Sequence, residues 1–153
     1  MSAVLRPSPS FEPMRESDLR AVLDIEENLY EFPWTHGNFR DSLRAGYTCW
    51  VTREGRRVIG YAVLMLAAGE AHLLNLSIAA ASQRRGHGRS LLRSVIELAR
   101  EHKSKVLFLE VRPTNEIGKR LYAGTGFRQV GVRRGYYPAR KGREDALVLA
   151  LDL

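Results

Sequence analysis

The chain has 153 residues, 44% of them apolar, and a formal charge of +7. That length fits one domain with a sizeable core, and the apolar share excludes a disordered body. No apolar run approaches the ~20 residues of a membrane-spanning helix, and a single cysteine, Cys49, excludes an internal disulfide and a multi-cysteine metal site.

Residues 1–10 are small, polar and proline-bearing, so they read as a flexible lead-in without the apolar stretch of a signal peptide, and residues 11–153 as one domain. Residues 11–15 read as a first strand. Ser17 and Asp18 are helix-start residues, and Leu19, Val22, Leu23, Ile25, Glu26 and Leu29 follow at helical spacing. Phe32-Pro33-Trp34 interrupts this helix, and Thr35 is placed to cap a second one ending near Leu43. Strands follow at 47–52 and 58–67 around a hairpin turn at Glu54-Gly55-Arg56, and a fourth occupies 70–78 after a turn at Gly69. Residues 89–102 carry Leu91, Leu92, Val95, Ile96 and Ala99 on one face, which predicts an amphipathic helix. The apolar run 106–111 predicts a central strand. Pro113-Thr114-Asn115 leads into a helix over 116–123, ended by Gly124-Thr125-Gly126. Strands at 127–134 and 146–151 complete the chain, with a long loop at 135–144 between them. This order, β-α-α-β-β-β-α-β-α-β-β, predicts an α/β fold with a mixed sheet and helices on both faces.

Function is concentrated in Gln83-Arg84-Arg85-Gly86-His87-Gly88, between the fourth strand and the third helix. A strand, a glycine-bearing turn and a helix together aim backbone N–H groups and the positive end of a helix dipole at one spot, where a phosphate fits. Gly86 and Gly88 let the backbone come close to such a ligand. Arg84, Arg85, Arg89 and Arg93 gather around the same turn, and the high net charge fits an anionic ligand or a merely soluble basic surface. His36, His72, His87 and His102 show no metal-ligand spacing, and no metal is expected. Cys49, in an apolar stretch, reads as a buried inert thiol suited to a reducing cytoplasm.

The turn at 83–88, Leu109-Glu110-Val111-Arg112, Asn115, Leu121-Tyr122 and Gly126-Phe127 together resemble the GNAT acetyltransferases. Phe32-Pro33-Trp34, Arg133-Arg134-Gly135-Tyr136-Tyr137-Pro138 and Gly142-Arg143-Glu144-Asp145-Ala146 resemble more closely the ribosomal-protein alanine N-acetyltransferases, the RimI type. The resemblance spans roughly residues 11–151. It implies the GNAT fold, a mostly antiparallel mixed sheet of about seven strands flanked by four helices. Acetyl-coenzyme A would be the donor, and the acceptor the N-terminal alanine of the eighteenth small-subunit ribosomal protein. The alternative acceptors are other protein N-termini, lysine side chains or a small polyamine. Glu110 would act as base and Tyr122 as acid. Leu76, Ser77, Ile78, Arg84, Arg85, Gly86, His87, Gly88, Arg89 and Asn115 would bind the coenzyme, and Phe32, Trp34, Tyr136, Tyr137 and Asp145 the acceptor. A cytoplasmic monomer without membrane or specific nucleic-acid partners is expected. Gly135 stands where the family more often has a polar residue, which implies a looser peptide-binding loop.

The residues keep ordinary readings beside these. Glu110 in an apolar strand either serves as base or pairs with an arginine at the strand end. Tyr122 is either an acid or a core aromatic, and Asn115 caps the fourth helix whether or not it also touches the coenzyme. Trp34 is either a core anchor or a wall of the acceptor groove. Glu31 or Asp145 either attracts a basic residue of the peptide, or Asp145 joins Arg143 and Glu144 in ordering the loop. The oxyanion donor expected from the strand is a backbone N–H among Leu76, Ser77 and Ile78, exposed by a bulge.

Overall fold

A computed structural model describes residues 9–153, so most of the expected lead-in lies outside the described residues. Strand β1 is Ser10–Pro13, and a single 3-10 turn at Glu16–Asp18 leads into α1, Leu19–Leu29. Helix α2 is His36–Arg44, β2 is Thr48–Glu54, β3 is Arg57–Ala67 and β4 is Glu70–Ile78. A second 3-10 turn, Ala80–Ser82, precedes α3, His87–Glu101. Strand β5, Val106–Val111, helix α4, Glu116–Thr125, and strands β6, Arg128–Pro138, and β7, Arg143–Asp152, finish the chain. The seven strands form one sheet in the order β1-β2-β3-β4-β5-β7-β6. Among the described residues no helix is long and apolar enough to cross a membrane.

By compactness the chain divides into two units. The first holds the residues through Val63 together with Asn75–Ser94. Here β1 runs antiparallel to β2, with Phe11 stacked on Trp50 at 4.5 Å. Asp18 stands at the start of α1 as read, but its side chain makes no capping hydrogen bond to the helix. Its carboxylate accepts the Arg15 N–H and pairs with Arg53, which also meets Glu12, because a guanidinium offers a stronger partner than the amides of the helix start. Thr35 caps α2 as read. Its hydroxyl accepts the Asn38 N–H at 3.1 Å, and Asn38 Oδ1 accepts the Thr35 N–H at 2.9 Å. Burial pushes the Cys49 thiol up to about 11, which keeps it protonated and unreactive near neutrality.

The second unit holds Leu64–Leu74 and Val95–Leu153. Strand β5 lies between a parallel and an antiparallel neighbour. It is in register with β4 from Glu70 opposite Val106 to Leu73 opposite Leu109, and with β7 from Val106 opposite Asp152 to Val111 opposite Leu147. Leu107, Leu109 and Val111 are buried on one face, so the period-2 alternation places Val106, Phe108 and Glu110 together on the other. Helix α4 ends on Gly126, whose φ of +106° is the left-handed geometry that glycine accepts without strain.

The expected long loop after β6 is absent. The β6–β7 pairing shifts register between Arg133 and Tyr137 and then resumes, with Tyr137 opposite Glu144 and Pro138 opposite Arg143. Only residues 139–142 turn the hairpin. Proline occupies the last residue of β6, where its missing N–H costs the ladder least.

Gly60 marks the tightest approach in the first unit. A Cβ there would stand 2.6 Å from Ile78 Cδ1 and 2.8 Å from the Ser77 carbonyl oxygen, which is backbone and cannot swing away. Gly60→Ala is expected to destabilise the protein by about 1–3 kcal/mol, read as a lower urea midpoint, and an unchanged midpoint would show that β3 and β4 can move apart there.

Candidate active site

In the first unit the glycine turn is built by two left-handed residues, Arg84 at φ +63° and Gly86 at φ +82°. Ser90 N–H donates to the Gly86 carbonyl at 3.1 Å, so α3 starts at His87, two residues before the expected Arg89. The N–H groups ahead of Ser90 therefore belong to the open end of the helix. Gln83 Nε2 donates to the Ile78 carbonyl at 2.9 Å and ties the turn to the end of β4. Arg85 Nη2 donates to Glu54 Oε2 at 2.7 Å. His87 is buried, and its Nε2 has no hydrogen-bond partner, lying 3.8 Å from the same carboxylate oxygen. The open helix end suits an anionic group at this turn. Arg84 and Arg89 are exposed there.

The same unit contains a polar network that the sequence reading missed. Glu26 is only 2% exposed, although it carries a carboxylate. Its oxygens accept from the Trp34 N–H at 3.0 Å, Tyr61 Oη at 2.9 Å and Asn75 Nδ2 at 2.8 Å. Ser77 Oγ donates to Asn75 Oδ1 at 2.8 Å and lies 2.6 Å from Tyr30 Oη. Burial, with the Glu26 charge added, pushes the Tyr61 hydroxyl far above its usual value and raises Tyr30 as well. The one available signal was Glu26 itself, a carboxylate on the apolar stripe of α1. Trp34 is half-buried with its ring 5.1 Å from Phe39, while Phe32 is 40% exposed. Leu76 is half-buried, and Ser77 and Ile78 are buried.

In the second unit Glu110 meets an arginine. Arg133 Nε lies 3.5 Å from Glu110 Oε1, with the carboxylate side chain 13% exposed and the arginine 55%. The Arg133 guanidinium also lies 5.3 Å from the Tyr136 ring. Tyr136 meets Tyr137 edge to face at 4.9 Å. Burial, then the nearby Glu110 charge, raises the Tyr137 hydroxyl above its usual value. The structure therefore brings Glu110, Tyr136 and Tyr137 together. It also gives Asp145 an ordering role, since its Oδ1 accepts the Gly135 N–H at 2.8 Å. Arg143 donates to the carbonyls of Gly135 and Tyr136. Gly135 sits at φ +58°, held on both its N–H and its carbonyl, so this glycine permits a fixed turn of the backbone instead of the looser loop expected.

Arg112 locks the same hairpin to β5. Its Nη1 donates to the Pro138 carbonyl at 2.9 Å and to Glu144 Oε2 at 3.1 Å, with its guanidinium 4.3 Å from the Tyr137 ring centre. Thr114 Oγ1 donates to Glu144 Oε1 at 2.8 Å. Asn115 caps α4 by accepting the Gly118 N–H at 2.9 Å. Tyr122 is buried on α4, edge to face with Phe127 at 5.6 Å, and the Phe127 N–H closes onto the Tyr122 carbonyl.

The chain as a whole is similar to known proteins. The Acetyltransferase (GNAT) family matches residues 19–127. The ribosomal protein bS18-alanine N-acetyltransferase of Escherichia coli is 32% identical over 140 residues, covering 92% of this chain and 95% of that protein. Its counterpart in Haemophilus ducreyi is 33% identical, covering 93% and 99%. The crystal structure of the Escherichia coli ribosomal-protein-S18-alanine N-acetyltransferase superposes with a TM-score of 0.88 at 31% identity, covering 95% and 94% of the two chains.

The hairpin clamp has a pH signature. Hydrogen bonding from Thr114 and Arg112 lowers the pKa of Glu144 in the folded state. A lowered folded value means that its stabilisation is complete above the ordinary carboxylate pKa and is lost as pH falls through the lowered one. Glu144→Gln should therefore narrow the difference in unfolding free energy between about pH 7 and about pH 3, measured by urea titration. An unchanged difference would mean that the clamp is not electrostatic.

Proposed function

We propose that this chain, which belongs to the GNAT acetyltransferase family, acetylates the α-amino group of the N-terminal alanine of ribosomal protein bS18. The observation that carries this reading is near full-length similarity to the bS18-alanine N-acetyltransferases. Acetyl-coenzyme A supplies the acetyl group as an activated thioester. The turn from Arg84 to Arg89 holds its diphosphate through backbone N–H groups and the α3 dipole. Leu76, Ser77 and Ile78 serve it through backbone groups, because the Ser77 hydroxyl is already engaged with Asn75. Asn115 contributes from the cap of α4.

The acceptor must lose a proton before it attacks. An α-amine with pKa ~7.7–8.0 is neutral in roughly one molecule in eight near pH 7, against roughly one in 2,500 for a lysine at ~10.4. That difference of roughly 300-fold favours a protein N-terminus wherever the catalytic base is a simple carboxylate. Glu110 takes the proton, and Tyr122 hydrogen-bonds the departing sulfur and returns one. A thiol near ~8.5 already leaves more readily than a phenol near ~10 accepts negative charge, so the tyrosine contributes less than the base. Phe32, Tyr136 and Tyr137 offer aromatic surface to the first residues of the peptide, while Trp34 and Asp145 hold the segments that carry them. The reaction takes place in the cytoplasm, where ribosomal proteins are made.

Glu110→Gln should lower kcat by about 10²–10⁴-fold while coenzyme A still binds. Tyr122→Phe should cost about tenfold. Near-normal rates in both would remove these roles. Mass spectrometry of two peptides tests the acceptor: one begins with alanine and a free α-amine, the other has that amine blocked and an internal lysine. Modification of the first alone is expected, and modification of the lysine peptide would overturn the reading.

A further inference from the structure

Two arginines meet the end of the β5–β7–β6 sheet near Glu110, and they are held very differently. Arg112 is fixed by a carbonyl at 2.9 Å, a carboxylate at 3.1 Å and a tyrosine ring at 4.3 Å, with 27% of its side chain exposed. Arg133 reaches Glu110 through a single 3.5 Å approach, rests against Tyr136 at 5.3 Å and remains 55% exposed. A half-exposed ion pair of this kind is worth little and opens easily. Its carboxylate partner, however, is largely enclosed, and an enclosed carboxylate without a cation is costly. Glu110 therefore needs a positive neighbour, and Arg133, which pairs with it, is loosely attached.

We propose that Arg133 is a place-holder: it neutralises Glu110 in the acceptor-free enzyme and yields that position to the positively charged α-ammonium of the incoming peptide. The inference rests on Glu110 being the base of the proposed reaction. An α-ammonium carries the same charge as the guanidinium in a smaller volume, so the exchange keeps the enclosed carboxylate paired while bringing the transferable proton to it. The guanidinium swings toward solvent, where half of it already lies, and returns when the neutral amide product leaves. Arg133 sits immediately before the register shift of β6, where the ladder constrains the backbone least. The device selects acceptors by charge: a peptide whose α-amine is replaced by a hydroxyl has no cation to exchange and leaves the pair closed. Arg133 is on this account a positioning residue that acts through Glu110.

The test is a binding cycle. The affinity of an alanine-initial peptide for the coenzyme A-bound enzyme is measured by calorimetry for the parent protein, Arg133→Met, Arg133→Lys, Glu110→Gln and the Arg133→Met, Glu110→Gln double variant. Coenzyme A affinity is measured for each as the check on folding. Arg133→Met should bind the peptide about 2–5-fold more tightly, the size expected for releasing one weak ion pair. Its steady-state KM for peptide should fall alike, with KM for acetyl-coenzyme A unchanged. Arg133→Lys should keep the parent affinity, and in the Glu110→Gln background Arg133→Met should change nothing. Unchanged or weaker peptide binding in Arg133→Met would overturn the proposal. So would equal tightening in the Glu110→Gln background, which would indicate general charge repulsion. Full turnover by Glu110→Gln would instead sink the assignment of the base, and the two failures are read on separate measurements.

Discussion

A carboxylate enclosed in protein has to be met by donors, and at Glu26 that requirement ties α1 to β3, to β4 and to the segment that follows it. Three groups from three places answer it: a backbone N–H beyond α1, a tyrosine on β3 and an asparagine on β4. Each hydrogen bond to a charged group is worth about 1.5–3 kcal/mol, and an unanswered buried charge would cost more. The segment after α1 therefore has little freedom to leave β4, and the chain through Phe32 and Trp34 inherits a fixed starting point. Asn75 passes the constraint on to Ser77 and Tyr30. A helix stripe that local periodicity would fill with leucine carries a charge here, and that charge defines where the next segment runs.

The second unit uses carboxylates differently, according to exposure and partner. Glu144 and Asp145 are neighbours in sequence on opposite faces of β7. One is bound to Thr114 and Arg112, the other to the Gly135 N–H. Both are consumed in shaping the hairpin that carries Tyr136 and Tyr137. Glu110 is enclosed and pairs with a partly solvated arginine. Of the three, it is the one whose arginine partner shapes no turn.

The net charge of +7 acquires meaning only when divided in this way. Arg112, Arg143 and Arg53 are tied to backbone carbonyls or carboxylates and serve as struts. Arg84 and Arg89 lie exposed around the turn at the head of α3, and Arg133 stands beside Glu110. The basic character that suggested an anionic ligand is real, but a large part of it is structural.

The sequence by itself determined the elements and their order, because helix caps, turn glycines and hydrophobic periods act over a few residues. Thr35 with Asn38, Gly126 after α4, and the strands at 70–78 and 106–111 were all legible for that reason. The glycine turn and Glu110 could be picked out because their residue types at those places limit the chemistry. Tertiary structure alone decided which groups meet. Glu26 finds Tyr61 and Asn75 across 35 and 49 residues, and Asp18 at the start of α1 finds Arg53 across 35. The strand through Pro138 exists because Arg112, Arg143 and Asp145 hold it from outside its own sequence. Arg133 was visible as a charge, but its place against Glu110 follows from the register of β6 on β7 and of β7 on β5. Pairing across distant strands leaves no local period or cap to read, so these partners emerge only when the sheet is assembled.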